Sequence, residues 1–168
     1  MPQTLLSLAA LMLLSFLVVS NHRGSLEIRD RYVRAQIETA ARGAAGDLMA
    51  HVAGFAFDRA GASVPVAALT PASAFGTPSR RFDDPRITAI DQFHDVLPFS
   101  VERLIPQRDG DPVPIELTAT ITVEYVTQVG AIVQPAPGPT HTKRVRILVT
   151  HPRLLAPIEL SRLFSTDW

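Results

Sequence analysis

The feature that most constrains this chain is an apolar run from Leu5 to Val19, which reads LLSLAALMLLSFLVV. No charged residue occurs between Met1 and His22. As a helix the run is about 22 Å long. A membrane span needs about 20 apolar residues, which cross a hydrocarbon core of about 30 Å. Counting from Pro2 to Asn21 brings the segment close to that length. The run therefore predicts a helix that is covered by a membrane, by a bundle core inside an assembly, or by each at different times.

A cleaved signal peptide is the main alternative for this run. Val18-Val19-Ser20 is a tolerable cleavage site, because signal peptidases accept small residues there. The basic segment that normally precedes the apolar core of a signal peptide is missing, since Met-Pro-Gln-Thr carries no Lys or Arg. We therefore expect the run to be a retained helix that mediates assembly. Its apolar members are Leu5, Leu6, Leu8, Leu11, Met12, Leu14, Phe16, Leu17 and Val19.

An amphipathic pattern follows, and it predicts that the helix continues to about Phe57. Apolar residues recur every three or four positions, as on one face of a helix. The helix would be about 80 Å long, and Gly61 and Pro65 would end it. Gly24 is its weak point, so we expect a kink or an unwound stretch near residues 20–25, the alternative being an unbroken helix. The residues expected to pack on the rest of the protein are Val33, Ile37, Ala41, Ala44, Leu48, Val52 and Phe55.

The remaining residues read as a β-rich head. All but one of the 14 prolines lie at or beyond position 65, and residues 61–82 predict a connecting loop with a short turn at Val66–Leu69. Apolar and polar residues alternate over 115–125 and 144–150, which predicts two half-buried strands. A third strand is expected over 157–165, at an edge or with a bulge, because its alternation is imperfect.

These patterns together predict an α+β fold in which a long N-terminal helix packs on a three- to four-stranded antiparallel sheet. Residues 1–24 form the apolar segment for assembly or membrane insertion, 25–60 the amphipathic segment, and 61–168 the head.

The composition and motifs argue against catalysis and against nucleic-acid binding. Basic and acidic residues are equal in number at 16 each, so there is no basic field, and there is no cysteine. None of the five histidines has a second ligand at metal-site spacing, and no nucleophile motif is present. We therefore expect no enzyme, no cofactor and no small-molecule substrate. A weaker hypothesis is a calcium site formed by Asp83, Asp84, Asp91 and Asp95.

The layout from Leu5 to Phe57, followed by a β-rich head, resembles that of the type IV pilins and pseudopilins. In that superfamily an N-terminal helix, apolar in its first half and amphipathic in its second, packs on an antiparallel sheet. The resemblance is one of architecture. The family usually has a glutamate at the fifth mature position, whereas the corresponding region here, Thr4, Leu5 and Leu6, contains no acid. No basic leader ending in glycine precedes the run. Either the numbering starts on a mature chain, or subunit register is set differently here.

The charges around the run conflict with the orientation of a pilin. Arginines follow the apolar run and none precedes it, so the positive-inside rule would place the head in the cytoplasm. A removed leader would have supplied the missing charge.

The sequence therefore predicts a structural subunit of an extracellular, pilus-like filament. Its partners are copies of itself, with a membrane-inserted stage before assembly and a cell-surface location afterwards. The alternatives are a single-pass, membrane-anchored envelope protein whose head binds a partner, and a minor pseudopilin of a secretion system.

Overall fold

The structure is a computed structural model that describes the backbone of residues 2–61, 64–77, 79–107 and 110–166. Side chains are described in the same ranges from residue 11 onward, apart from that of residue 107. The chain divides into two units, Met1–Gln36 and Ile37–Trp168. One helix, α1 (Pro2–Ala53), contributes residues to both units.

Helix α1 is unbroken from Pro2 to Ala53, so the unwound stretch predicted near residues 20–25 is wrong. A single glycine costs a helix only about 1 kcal/mol, whereas opening the helix there would also break the hydrogen bonds of a whole turn. Gly24 is accordingly helical, and the space beside its Cα is open.

The end of α1 also differs from the prediction, since the helix stops four residues before Phe57. The backbone N–H groups of Gly54 and Phe55 donate to the carbonyls of His51 and Val52, at 3.1 and 3.2 Å. These bonds join residues three positions apart, whereas α-helical bonds join residues four positions apart. The backbone therefore forms a tighter turn and the α-helix ends. Phe57 thereby falls in the segment after the helix.

The second unit contains five antiparallel strands: β1 (Phe99–Gln107), β2 (Gly110–Val129), β3 (Ile132–Pro135), β4 (Thr142–Thr150) and β5 (Ile158–Ser165). The main sheet has the order β1-β2-β4-β5, and β3 pairs with the far end of β2. The α+β fold predicted from the sequence is therefore confirmed: a long helix packs on an antiparallel sheet.

Several strand boundaries differ from the prediction. β1 lies partly in a segment that showed no strand pattern, and β3 was not predicted. β2 runs from Gly110 to Val129, beyond both bounds of the strand predicted over 115–125. β5 is an edge strand with continuous register, so of the two alternatives the edge position is correct and the bulge is not.

The core of the second unit lies between one face of α1 and one face of the sheet. Gly43 and Gly46 are exposed, and the small buried residues of α1 are alanines. Val33 belongs to the first unit and Phe55 is half-buried. The predicted helix positions that are buried are Ile37, Ala41, Ala44, Leu48 and Val52. The buried sheet positions include Leu117, Ala119, Ile121, Val123 and Tyr125 of β2 and Lys143, Val145, Ile147 and Val149 of β4.

The long connection between α1 and β1 is held by short 3₁₀ turns and aromatic side chains. The turn at Val66–Ala68 was predicted, and two more occur at Ala72–Ala74 and Ile90–Phe93. The ring of Phe75 lies 5.0 Å from that of Tyr125, and the ring of Phe82 stacks on Phe99 at 4.5 Å. These rings fasten the connection to the sheet.

Candidate functional site

The first candidate site is the exposed apolar part of α1 in the first unit. Every large apolar side chain from Leu11 to Val19 is between 50% and 72% exposed. Successive helix positions point about 100° apart, so these consecutive residues present apolar surface in all directions rather than on one face. The residues are Leu11, Met12, Leu13, Leu14, Phe16, Leu17, Val18 and Val19.

The structure adds residues to this predicted assembly surface, and three of the predicted members have no described side chain. Leu5, Leu6 and Leu8 lie outside the residues whose side chains are described. Leu13 and Val18 were not singled out from the sequence but are as exposed as their neighbours. Farther along α1, the exposed apolar residues are Leu26, Ile28 and Tyr32.

The second candidate site is a buried ion network in the second unit, centred on Lys143. This residue is the only lysine in the chain, and its side chain has no exposed surface. Its amine lies 2.7 Å from a carboxylate oxygen of Asp58, 2.7 Å from the carbonyl oxygen of Phe57 and 3.5 Å from a carboxylate oxygen of Asp91. An ammonium has three N–H donors, and three acceptors surround this one.

Each carboxylate of the network has further donors. Asp58 accepts from the backbone N–H of Ala60 at 2.9 Å and from the Thr70 hydroxyl at 2.7 Å, and the Tyr125 hydroxyl lies 3.0 Å away. Asp91 accepts from the guanidinium of Arg59 at 2.8 Å. Because two cations face two carboxylates, the network is neutral, which limits the cost of burying it.

Aromatic rings exclude water from the network. The amine of Lys143 lies 4.5 Å from the ring centre of Phe57 and 5.2 Å from those of Phe75 and Tyr125. The electron-rich faces of such rings attract a cation. The network therefore joins the segment after α1, the connecting loop, the turn at Ile90–Phe93 and the sheet through one cation.

The hydrogen bonds in the network favour an ion pair over covalent chemistry. An amine between two carboxylates could in principle condense with one of them to an amide, a step that needs a neutral amine and a protonated carboxyl group. Burial alone would raise the pKa of Asp58, but the hydrogen bonds from Lys143, Ala60 and Thr70 lower that pKa to about 2. Burial and the charge of Asp58 raise the pKa of Tyr125, which therefore stays a neutral donor.

The lowered pKa of Asp58 predicts a dependence of stability on pH. Because the folded-state pKa lies below the unfolded value of 3.8, ionised Asp58 stabilises the fold above that value, and the contribution is lost as the pH falls toward 2. We expect Asp58→Asn to remove about 1 to 2 kcal/mol of the stability change between about pH 6 and pH 2. Urea unfolding of both chains across this range measures the difference, and parallel curves would contradict it.

The structure does not gather the predicted calcium ligands into one site. Asp83 pairs with Arg81, Asp84 with Arg86, and Asp95 with Arg80, while Asp91 belongs to the Lys143 network. Arginine neighbours neutralise these acids, and hydrogen bonds from Arg86 and Ser79 hold the pKa of Asp84 well below its usual range. Among the described residues no group of three acids or histidines is placed to hold a metal ion. The four aspartates therefore do not form a common site in this arrangement.

Among the described residues, no helix combines the length and the hydropathy of a membrane span. Comparisons of the chain with protein-family models, with curated proteins and with solved structures found no match.

Proposed function

We propose that this chain is a structural subunit of a pilus-like helical filament that polymerises through the apolar segment of α1. The observation that carries the proposal is the exposure of apolar side chains on all sides of the helix between Leu11 and Val19. A helix that is apolar all round must be buried in a protein core or in a membrane. Copies of the same helix offer such an environment on every side.

The free energy available from burying this segment is of the same order as the cost of assembly. Full burial of one large apolar side chain contributes about 1.5 to 3 kcal/mol, so the exposed residues together supply on the order of 15 kcal/mol per subunit. Association costs about 4 to 15 kcal/mol in lost translational and rotational freedom. The two terms are comparable, and contacts between heads would decide the affinity. The membrane-inserted stage before assembly and the final location at the cell surface belong to the same proposal.

Leu14→Asp is the variant that tests the proposal. Leu14 is 61% exposed, so an aspartate there leaves the second unit folded but places a charge in the filament core, where an unpaired charge is very costly. We expect no filaments by negative-stain imaging and an unchanged circular dichroism spectrum. The matched control is Ile132→Asp, at a residue of β3 that is also 61% exposed and lies on neither edge of the main sheet; this variant should still assemble. Abundant filaments from Leu14→Asp would refute the proposal.

Removal of residues 1–24 separates the filament subunit from the membrane-anchored alternative. A subunit that lacks its assembly segment should become an inert monomer in sedimentation experiments. An anchored receptor should keep its affinity for its partner, since the head would carry the binding site. A minor pseudopilin would differ from a major subunit in copy number, which imaging of native material measures directly.

A further inference from the structure

The main sheet of the second unit has two open edges, and each carries exposed apolar side chains. At the β1 edge, Leu104 is 64% exposed and Val113 on the paired strand is 37% exposed. At the β5 edge, Leu163 is 44% exposed, and Leu155 lies in the loop that precedes this strand. Neighbouring strands are about 4.8 Å apart, so the two edges of the main sheet are separated by about 14 Å. Within one molecule they cannot cover each other.

The β1 edge carries unpaired negative charge. Glu102 on β1 lies directly opposite Glu116 on β2, and both are exposed. Like charges in directly opposed positions destabilise a strand pair. Asp111, on the same hairpin, also forms no ion pair with any residue that the structure describes. Every other carboxylate of the described residues forms an ion pair with a cation, so the unpaired acids are confined to this hairpin.

The β5 edge carries the opposite charge. Arg153, in the turn after β4, and Arg162, on β5, are exposed and form no ion pair within the described residues. The guanidinium of Arg162 lies 5.2 Å from the ring centre of Phe164, which holds it at this edge. The remaining arginines of the described part without a carboxylate partner are Arg23 and Arg29, on α1 in the first unit.

We propose that the β1 edge of one head docks on the β5 edge of a second copy of this chain. The contact would pair Glu102 and Glu116 with Arg153 and Arg162 of the second copy. Because two different surfaces meet, the contact is heterologous, and a heterologous contact that does not close into a ring generates an open helical polymer. The inference rests on the proposed function in that the partner is another subunit.

Cysteine cross-linking tests the contact directly, because the chain contains no cysteine of its own. Full-length chains with Glu116→Cys and Arg162→Cys are mixed under assembly conditions and treated with a short bifunctional maleimide. Chains of different tag mass distinguish mixed dimers from dimers of one variant. We expect mixed dimers to predominate on denaturing gels. Dimers of a single variant, or preferential linkage of Glu116→Cys to Arg29→Cys, would overturn the proposal.

Variants in which the charge of one edge is reversed supply the second test. They show whether filament formation depends on the contact between the two edges. Glu102→Arg/Glu116→Arg places positive charge on both edges, and Arg153→Glu/Arg162→Glu places negative charge on both. Like charges across an interface oppose association, so we expect each variant alone to need on the order of tenfold more protein to assemble. An equal mixture should assemble like the unaltered chain.

The two proposals fail in different ways. If each charge variant assembles as readily as the unaltered chain while Leu14→Asp does not, the filament proposal stands and the edge contact is wrong. If the unaltered chain forms neither filaments nor mixed cross-links, both are wrong.

Discussion

Lys143→Met is expected to lower the free energy of unfolding of the second unit by about 3 to 5 kcal/mol, since removal of one partner from a buried ion pair leaves an uncompensated charge. The substitution keeps most of the side-chain volume but removes the cation that Asp58 and Asp91 share. Urea unfolding of the full chain in mild detergent, followed by circular dichroism, measures the loss.

The control for this variant is Arg42→Met, which breaks an exposed ion pair with Glu38 on the same unit. Pairs of that kind contribute about 0.3 to 0.5 kcal/mol, so the control should unfold almost like the unaltered chain. Equal decreases in the free energy of unfolding for both substitutions would show that the buried ion pair of Lys143 stabilises the fold no more than an exposed pair does. An intact mass lower by one water would instead show that Lys143 is joined to a carboxyl group by an amide bond.

Lys143 also offers a direct probe of burial, because it is the only lysine of the chain. Amine acylation followed by peptide mapping should leave it unmodified in the folded chain and modify it after unfolding. A double-mutant cycle with Asp58→Asn should give a coupling free energy of about 0.5 to 3 kcal/mol.

The strands with a regular alternation of apolar and polar residues could be predicted from the sequence. The elements that were missed depend on contacts between residues far apart in the chain. Apolar and polar residues alternate over 115–125 of β2, and Val145, Ile147 and Val149 recur at every second position of β4, so most of their buried positions could be named from the sequence. β1 was missed because proline flanks it and Arg103 occupies one of its partly buried positions. Arg103 pairs with Asp47 of α1 at 2.6 Å, a contact between residues far apart in sequence.

The ion network was missed for the same reason, although one signal was present. Asp58 and Lys143 are 85 positions apart, and Asp91 was assigned to a calcium loop from its local neighbours alone. Lys143, however, is in phase with the buried positions of β4. A lone lysine in the inward phase of a strand requires a buried carboxylate, and that requirement could have led to Asp58 and Asp91.

Phe93→Ala is expected to destabilise the second unit by about 3 to 5 kcal/mol, as large-to-small substitutions of buried phenylalanines do. Phe93 has no exposed surface and lies at the centre of an aromatic cluster. Its ring centre is 5.0 Å from that of Phe55, 5.8 Å from Phe82 and 6.2 Å from His51. Because these rings come from the end of α1, the connecting loop and the turn at Ile90–Phe93, the cavity cannot be filled by movement of one element.

Two further substitutions make this expectation specific. Phe93→Leu leaves a smaller cavity, so its loss should be about half as large. Phe16→Ala removes a ring that is 72% exposed on α1 and should leave the unfolding of the second unit unchanged while weakening filament formation. The same chemical change at two phenylalanines should thus affect folding at one position and assembly at the other. Similar unfolding midpoints for Phe93→Ala and Phe16→Ala would contradict the assignment of Phe93 to the core.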